Sequence, residues 1–162
     1  MKLPSHAAAS AAVSAAVYGV TRSPTAALAA LLSGILIDLD HVPDFFLLSG
    51  EKFSLSNLIS WHVNMRWDRV VLVLHSLELW ALLALWAFLR RQDLLFGLAA
   101  GTGIHLACDE IGNRNPMGHR LSRWFYFLSY RAWVGFRKER LWSGPSAQRL
   151  QKVGLTSPPK RA

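Results

Sequence analysis

The sequence predicts an all-α fold, an antiparallel bundle of four hydrophobic helices plus a C-terminal amphipathic helix, embedded in a membrane. Of the 162 residues, 52% are apolar and only 17% are charged, which excludes a disordered chain and a coiled coil. The apolar residues gather in four runs of 13 to 20 residues. Alanine and leucine dominate the first two runs, and this composition together with the run lengths favours helix over strand.

Short polar breaks separate the first two runs and the last two. The four runs cover residues 7–20, 25–37, 70–89 and 94–108. Ser23 is a suitable cap for a helix that begins at Pro24. Only 70–89 has the ~20 residues of a transmembrane helix, whereas the small residues of the first two runs suit close helix packing. An aromatic segment from Ser122 to Phe136 predicts the amphipathic helix.

The net charge of +8 lies almost entirely at the C-terminal side. Residues 131–162 carry eight basic residues and one acid, while the first 130 are nearly neutral. The sequence therefore divides into a helical metal-binding bundle (1–130) and a basic, partly disordered tail (131–162). Basic residues beside Trp133 and Trp142 suit an anionic membrane surface, but also a solvated helix face. Nothing in the sequence resembles a recognition helix or an RNA-binding strand motif, which argues against nucleic acid as a partner.

Ionisable residues at the ends of the apolar runs are the candidate functional groups. His105 and Asp109 share a helical face at i,i+4, and His75 and Glu78 share one at i,i+3. Because short links make successive helices antiparallel, all members of the set fall at the end where the first helix starts, which we call end A. The set is His6, Asp38, Asp40, His41, Asp44, His75, Glu78, His105 and Asp109.

Histidine nitrogens and carboxylate oxygens without thiolates suit zinc, manganese or iron, and buried carboxylates need a counter-charge. The predicted metal ligands are His6, Asp38, Asp40, His41, His75, His105 and Asp109, with Asp44 and His62 as further candidates. Glu78 and Asp40 are the predicted catalytic carboxylates, although His75 and Glu78 also fit a buried, mutually satisfied pair. The number of ligands exceeds what one zinc ion needs. The site is therefore expected to take either two or three divalent ions, zinc above all, or one such ion with a general base.

With these residues in view, the sequence resembles the bacterial family of membrane-bound metal-dependent hydrolases, whose helical metal core is similar to zinc-dependent phospholipase C. The matching strings are Ser5-His6, Asp38-Leu39-Asp40-His41, His75-Ser76 and His105-Leu106-Ala107-Cys108-Asp109. Many members have a His-Arg-Gly-x-Thr-His-Ser string, of which Val73-Leu74-His75-Ser76 keeps the second half. A ligand from the first half is absent here, or is replaced by His62 or Glu78.

The resemblance implies a metal-dependent hydrolase, and the expected substrate is a phosphoester or a small lipid-like molecule. Membrane lipid is the expected partner. A non-catalytic metal-binding membrane protein, or an adaptor acting through the basic tail, is the alternative. Positive charge is concentrated at end A, which predicts a multi-pass protein of the bacterial inner membrane with both termini and the metal site on the cytoplasmic side. Metal transport is disfavoured because the opposite end has Asp93 as its one acid and no histidine.

Overall fold

The computed structural model describes residues 3–64, 66–113 and 120–143, and the predicted all-α fold is confirmed there. Eight α-helices, one 3₁₀ turn and one pair of two-residue strands follow in chain order. The elements are α1 (Leu3–Thr21), α2 (Pro24–Leu36), the 3₁₀ turn (Ile37–Asp40), α3 (His41–Leu48), α4 (Leu55–Val63), α5 (Leu77–Arg90), α6 (Asp93–Gly112), β1 (Arg120–Leu121), α7 (Leu128–Trp133), α8 (Lys138–Leu141) and β2 (Trp142–Ser143). The strands are antiparallel, with Arg120 opposite Ser143 and Leu121 opposite Trp142.

The centre of the bundle is a close contact between α2 and α6. Gly97 and Gly101 on α6 are one helical turn apart and lie against the carbonyls of Ala26 and Ala30 on α2. A Cβ at either glycine would collide with those backbone atoms. The hydroxyl of Ser33 also donates to the Leu98 carbonyl at 3.2 Å. Small residues on both helices therefore allow the backbones to approach closely, as in membrane helix pairs.

The third apolar run does not form one long helix. Residues 70–76 are not helical, and α5 begins at Leu77, where the Ser76 hydroxyl accepts from the Leu79 amide. The carboxylates of Asp40 and Asp44 on the neighbouring segment accept hydrogen bonds from backbone amides of this stretch. Because these amides bond to carboxylates, they are not available to a helix, and the prediction of a 20-residue span here is wrong.

Two other stretches are long and apolar enough to cross a membrane. They are Pro24–Leu48, with 25 residues, and Asp93–Gly112, with 20 residues. The first stretch continues through Pro43 into α3, because Pro43 lies in the first turn of α3, where no amide donor is needed. Length and composition alone support membrane crossing here, and they do so only weakly, since core helices of soluble proteins share these properties.

The first residues of the predicted tail, 131–162, are packed against the rest of the structure. Arg131, Val134 and Leu141 are buried, and the latter two belong to the large apolar cluster at end A. The Val70 amide also donates to the Phe136 carbonyl at 3.0 Å. The chain up to Ser143 is therefore part of the folded unit, and the rest of the predicted tail, 144–162, lies outside the described residues. The predicted amphipathic helix over 122–136 is reduced to α7.

Candidate metal centre

The histidines and aspartates from four parts of the chain meet at end A, as the antiparallel arrangement predicted. His6 comes from α1, Asp38 from the 3₁₀ turn, His75 from the segment before α5, and His105 and Asp109 from α6. Four of these five side chains are buried, and Asp38 is partly buried. Buried carboxylates at this density require compensating positive charge, from protonated histidines or from a metal ion.

The centre of the cluster consists of two histidine nitrogens and two carboxylate oxygens. Nε2 of His75 lies 3.5 Å from Oδ1 of Asp38 and 3.8 Å from Oδ2 of Asp109. Nε2 of His105 lies 3.3 Å from the same Asp38 oxygen and 3.5 Å from the same Asp109 oxygen. Both Nε2 atoms are buried and have no hydrogen-bond partner among the described residues.

These separations match those of atoms that share a metal ion. Two ligand atoms that each lie ~2.0–2.1 Å from one zinc ion at the tetrahedral angle are about 3.3–3.4 Å apart. The observed spacings of 3.3 to 3.8 Å are longer than the usual N–H···O hydrogen bond. The four His–Asp separations are therefore compatible with a cation held between these atoms.

His6 and His41 extend the cluster on two sides. Nε2 of His6 lies 3.0 Å from Oδ1 of Asp109, and the His6 ring stacks on His105 with centroids 4.1 Å apart. Nε2 of His41 lies 3.7 Å from Oδ1 of Asp38. Two sets of three residues thus each bring their ligand atoms within 4.8 Å of one another. The sets are His6, His105 and Asp109, and Asp38, His41 and His75.

The opposite ring nitrogens of the two central histidines are held by the protein. Nδ1 of His105 lies 2.8 Å from the Gly34 carbonyl, to which it donates. Nδ1 of His75 lies 3.4 Å from Oδ2 of Asp40. A donor role at Nδ1 leaves the Nε2 lone pair directed at the cluster, which is the arrangement that metal-bound histidines show.

Asp40 was predicted as both ligand and catalytic group, but the structure gives it a positioning role. Its Oδ2 atom accepts from the amides of Leu74 at 2.7 Å and His75 at 3.3 Å, in addition to its contact with the His75 ring. Asp44, a further candidate ligand, binds the amides of Val71 and Leu72 in the same way. The two carboxylates fix the loop that carries His75 instead of joining the central four atoms.

His62 contacts His41 and is not one of the residues that supply the four central ligand atoms. Its Nε2 lies 3.2 Å from the His41 carbonyl, and the two rings are 4.0 Å apart. Burial lowers the pKa of His62, against the opposing effects of the His41 carbonyl and of Asp38. The His62 ring is therefore neutral at pH 7. Its contact with the His41 carbonyl stabilises the first residue of α3.

Glu78, the second predicted catalytic group, caps α7 and does not contact the cluster in the described structure. Its oxygens accept from the Leu128 amide at 2.8 Å and from the amide and hydroxyl of Ser129 at 3.0 and 2.6 Å. The Ser76 hydroxyl donates to the same carboxylate at 2.7 Å. Partial burial would raise the pKa of Glu78, but the hydrogen bonds from Ser129, Ser76 and Leu128 outweigh it and lower the pKa to about 2.

We expect Glu78→Gln to destabilise the protein at pH 7 and to destabilise it less at pH 3. A carboxylate whose pKa falls from 4.5 to about 2 on folding contributes stability above about pH 4.5 and loses it as the pH falls towards 2. The expected cost at pH 7 is about 1–2 kcal/mol, as for hydrogen bonds to a partly exposed charged group. Chemical denaturation at both pH values, with the exposed Glu139→Gln as control, measures it. If Glu78→Gln lowered the free energy of unfolding equally at both pH values, the lowered pKa of Glu78 would be contradicted.

Arg131 supports the candidate site and was not predicted from the sequence. It is fully buried, and its Nη2 atom donates to the carbonyls of Leu72 at 3.0 Å and His75 at 2.9 Å. Burial lowers the pKa of Arg131 to about 10, against the opposing effect of Asp40, Glu78 and Asp44, so the guanidinium stays charged at pH 7. It therefore holds the His75 loop by its carbonyls, whereas Asp40 and Asp44 hold the same loop by its amides. No local signal separates it from the basic residues that follow it in sequence.

Comparisons with protein-family models, with curated proteins and with solved structures found no match to this chain.

Proposed function

We propose that this protein is a membrane-associated, metal-dependent hydrolase that acts on a phosphoester or a lipid-like substrate. The observation that supports it most is the convergence of two buried histidine nitrogens, which have no hydrogen-bond partner in the described part of the chain, on two carboxylate oxygens at 3.3 to 3.8 Å. Nitrogen and oxygen donors of this kind suit zinc, with manganese or iron as alternatives. The resemblance in sequence to membrane-bound metal-dependent hydrolases supports the same function.

His75, His105, Asp38 and Asp109 would hold the first ion, and His6 and His41 stand where they would extend the site to a second. A divalent ion there would supply Lewis-acid catalysis, which promotes attack by water and stabilises negative charge on a phosphoryl or carbonyl group. Asp40 and the Gly34 carbonyl orient the two central histidines, so the donor atoms are directed at the ion before it binds.

A second candidate is a metal-binding protein without catalytic activity. It is favoured by the positions of Glu78 and Asp40, whose carboxylates bond to backbone amides and hydroxyls and are therefore not available as general bases. This candidate shares the metal site with the hydrolase, so metal binding by itself does not distinguish the two.

The membrane location rests on the stretches Pro24–Leu48 and Asp93–Gly112 and on large apolar side chains exposed along α5. Leu82, Phe88 and Leu89 point outward from the bundle, with 62 to 75% of each residue exposed. A bilayer would cover this surface. We propose a multi-pass protein of the bacterial inner membrane, with end A and its excess of basic residues on the cytoplasmic side.

Turnover of model substrates tests the catalytic part of the proposal. Detergent-purified protein loaded with zinc or manganese is expected to hydrolyse bis(p-nitrophenyl) phosphate or a short-chain phospholipid. Asp109→Asn should abolish this activity, and Asp93→Asn, at the opposite end of the same helix, should retain it. Bound metal without turnover above that of the free ion would reject the hydrolase in favour of the non-catalytic candidate.

A further inference from the structure

The short helix α4 presents three different sides. Trp61 is buried and Leu58 packs against the core on its inner side. On its outer side Leu55, Ile59 and Val63, spaced four residues apart, are 67, 53 and 68% exposed. An amphipathic helix of a soluble bundle has polar residues at such positions, so this outer face is unusual. Between these two sides lies a polar strip, formed by Asn57, Ser60 and Asn64.

The exposed apolar surface continues from α4 towards α3. Phe53, just before α4, stacks on Phe46 with ring centroids 5.0 Å apart, and both rings are more than half exposed. Leu47 beside them is 78% exposed. The six residues together form an apolar surface that no described segment covers, which we call the α4 face: Phe46, Leu47, Phe53, Leu55, Ile59 and Val63. Exposed apolar surfaces of this extent mark an interaction site.

The length of α4 and its surroundings indicate a lipid leaflet as the occupant. Nine residues span about 14 Å and cannot cross the ~30 Å hydrocarbon layer, so the helix is suited to lie along the interface. The α4 face is continuous with Pro24–Leu48, which ends in α3 and is apolar enough to enter a membrane. Exposed cations stand in sequence on both sides of α4, Lys52 before it and Arg69 after it, and such residues are attracted to the phosphates of anionic lipid.

We propose that the α4 face docks into the interfacial region of an anionic lipid leaflet. The docking itself does not depend on hydrolase activity. If the proposed function holds, docking has a consequence for the substrate. His62 on the inner side of α4 contacts the His41 carbonyl, so the metal centre would lie about one helix diameter, ~10 Å, from the lipid. An amphiphilic substrate would then reach it from the leaflet.

The single cysteine of the chain allows a site-specific test. In a Cys108→Ser background, one cysteine is introduced at Ile59 on the α4 face, or, as control, at Asn64, an exposed position of the polar strip at the end of α4. Each protein is labelled with an environment-sensitive fluorophore and reconstituted into vesicles of phosphatidylcholine with one-third phosphatidylglycerol. The Ile59 label is expected to emit at shorter wavelength and to lose more fluorescence to brominated lipid than to aqueous iodide. The Asn64 label is expected to show the reverse.

Two outcomes would overturn the proposal. Equal quenching of both labels by iodide would show that the α4 face is in water. An Ile59 label protected from iodide but not quenched by brominated lipid would show that protein covers it, either a second copy or residues 144–162. Circular dichroism of the labelled proteins confirms that both are folded, and the metal content, measured separately, keeps this test distinct from that of the hydrolase.

Discussion

Asp109→Asn is expected to reduce metal affinity at least about 100-fold, since loss of a partner that only orients a ligand already costs 10–100-fold. The side chain keeps its size, but the charge is lost at a point where the Nε2 atoms of His75, His105 and His6 meet its two oxygens at 3.8, 3.5 and 3.0 Å. An amide also presents an NH₂ group in place of one acceptor oxygen. Competition with a chromogenic chelator measures the change in affinity.

Asp93→Asn is the matched control, because Asp93 is an exposed aspartate at the first position of the same helix. It is expected to bind metal like the wild type. If Asp109→Asn folds and binds metal with unchanged affinity, Asp109 is not a ligand and the central four atoms are a hydrogen-bonded network.

Gly101→Ala is expected to destabilise the protein by about 1–3 kcal/mol, the usual cost of inserting a methyl group into a tightly packed contact. The new Cβ would meet the Ala30 carbonyl and the Ser33 hydroxyl, and the backbone carbonyl can move only if α2 and α6 separate. This loss exceeds the helix-propensity gain of up to ~1 kcal/mol from replacing glycine by alanine. Since α2 leads into Asp38 and α6 carries His105, the separation should also weaken metal binding.

Gly19→Ala on α1 is the control for this substitution. A Cβ at Gly19 meets nothing within 4 Å, so the same change should leave stability unchanged or raise it slightly. Thermal unfolding in one detergent, followed by circular dichroism, compares the two variants. Equal stability of both would show that the α2–α6 contact is looser than described.

The sequence was sufficient to predict the helical class and the place where the polar residues meet. Their convergence follows from two facts that are local in sequence: helical spacing within pairs such as His105 and Asp109, and short links that reverse the chain direction. The DLDH string contributed Asp38 and His41, which lie together at 3.7 Å in the structure.

The different contacts of Asp38 and Asp40 could not be predicted in this way. Asp38 and Asp40 are aspartates two residues apart in sequence. Asp38 faces the histidines, whereas Asp40 binds the amides of Leu74 and His75. This choice depends on a non-helical loop that lies more than thirty residues further along the chain. Arg131 was missed for the same reason, since its partners, the carbonyls of Leu72 and His75, are 59 and 56 residues away.

The most direct test of the metal centre is elemental analysis of the detergent-purified wild-type protein, before and after incubation with zinc or manganese and removal of the excess. The arrangement of His75, His105, Asp38 and Asp109 predicts at least one tightly held divalent ion per chain. A chain that stays metal-free after incubation at neutral pH would contradict it, because the buried Nε2 atoms would then have protons and carboxylates as their partners instead of an ion.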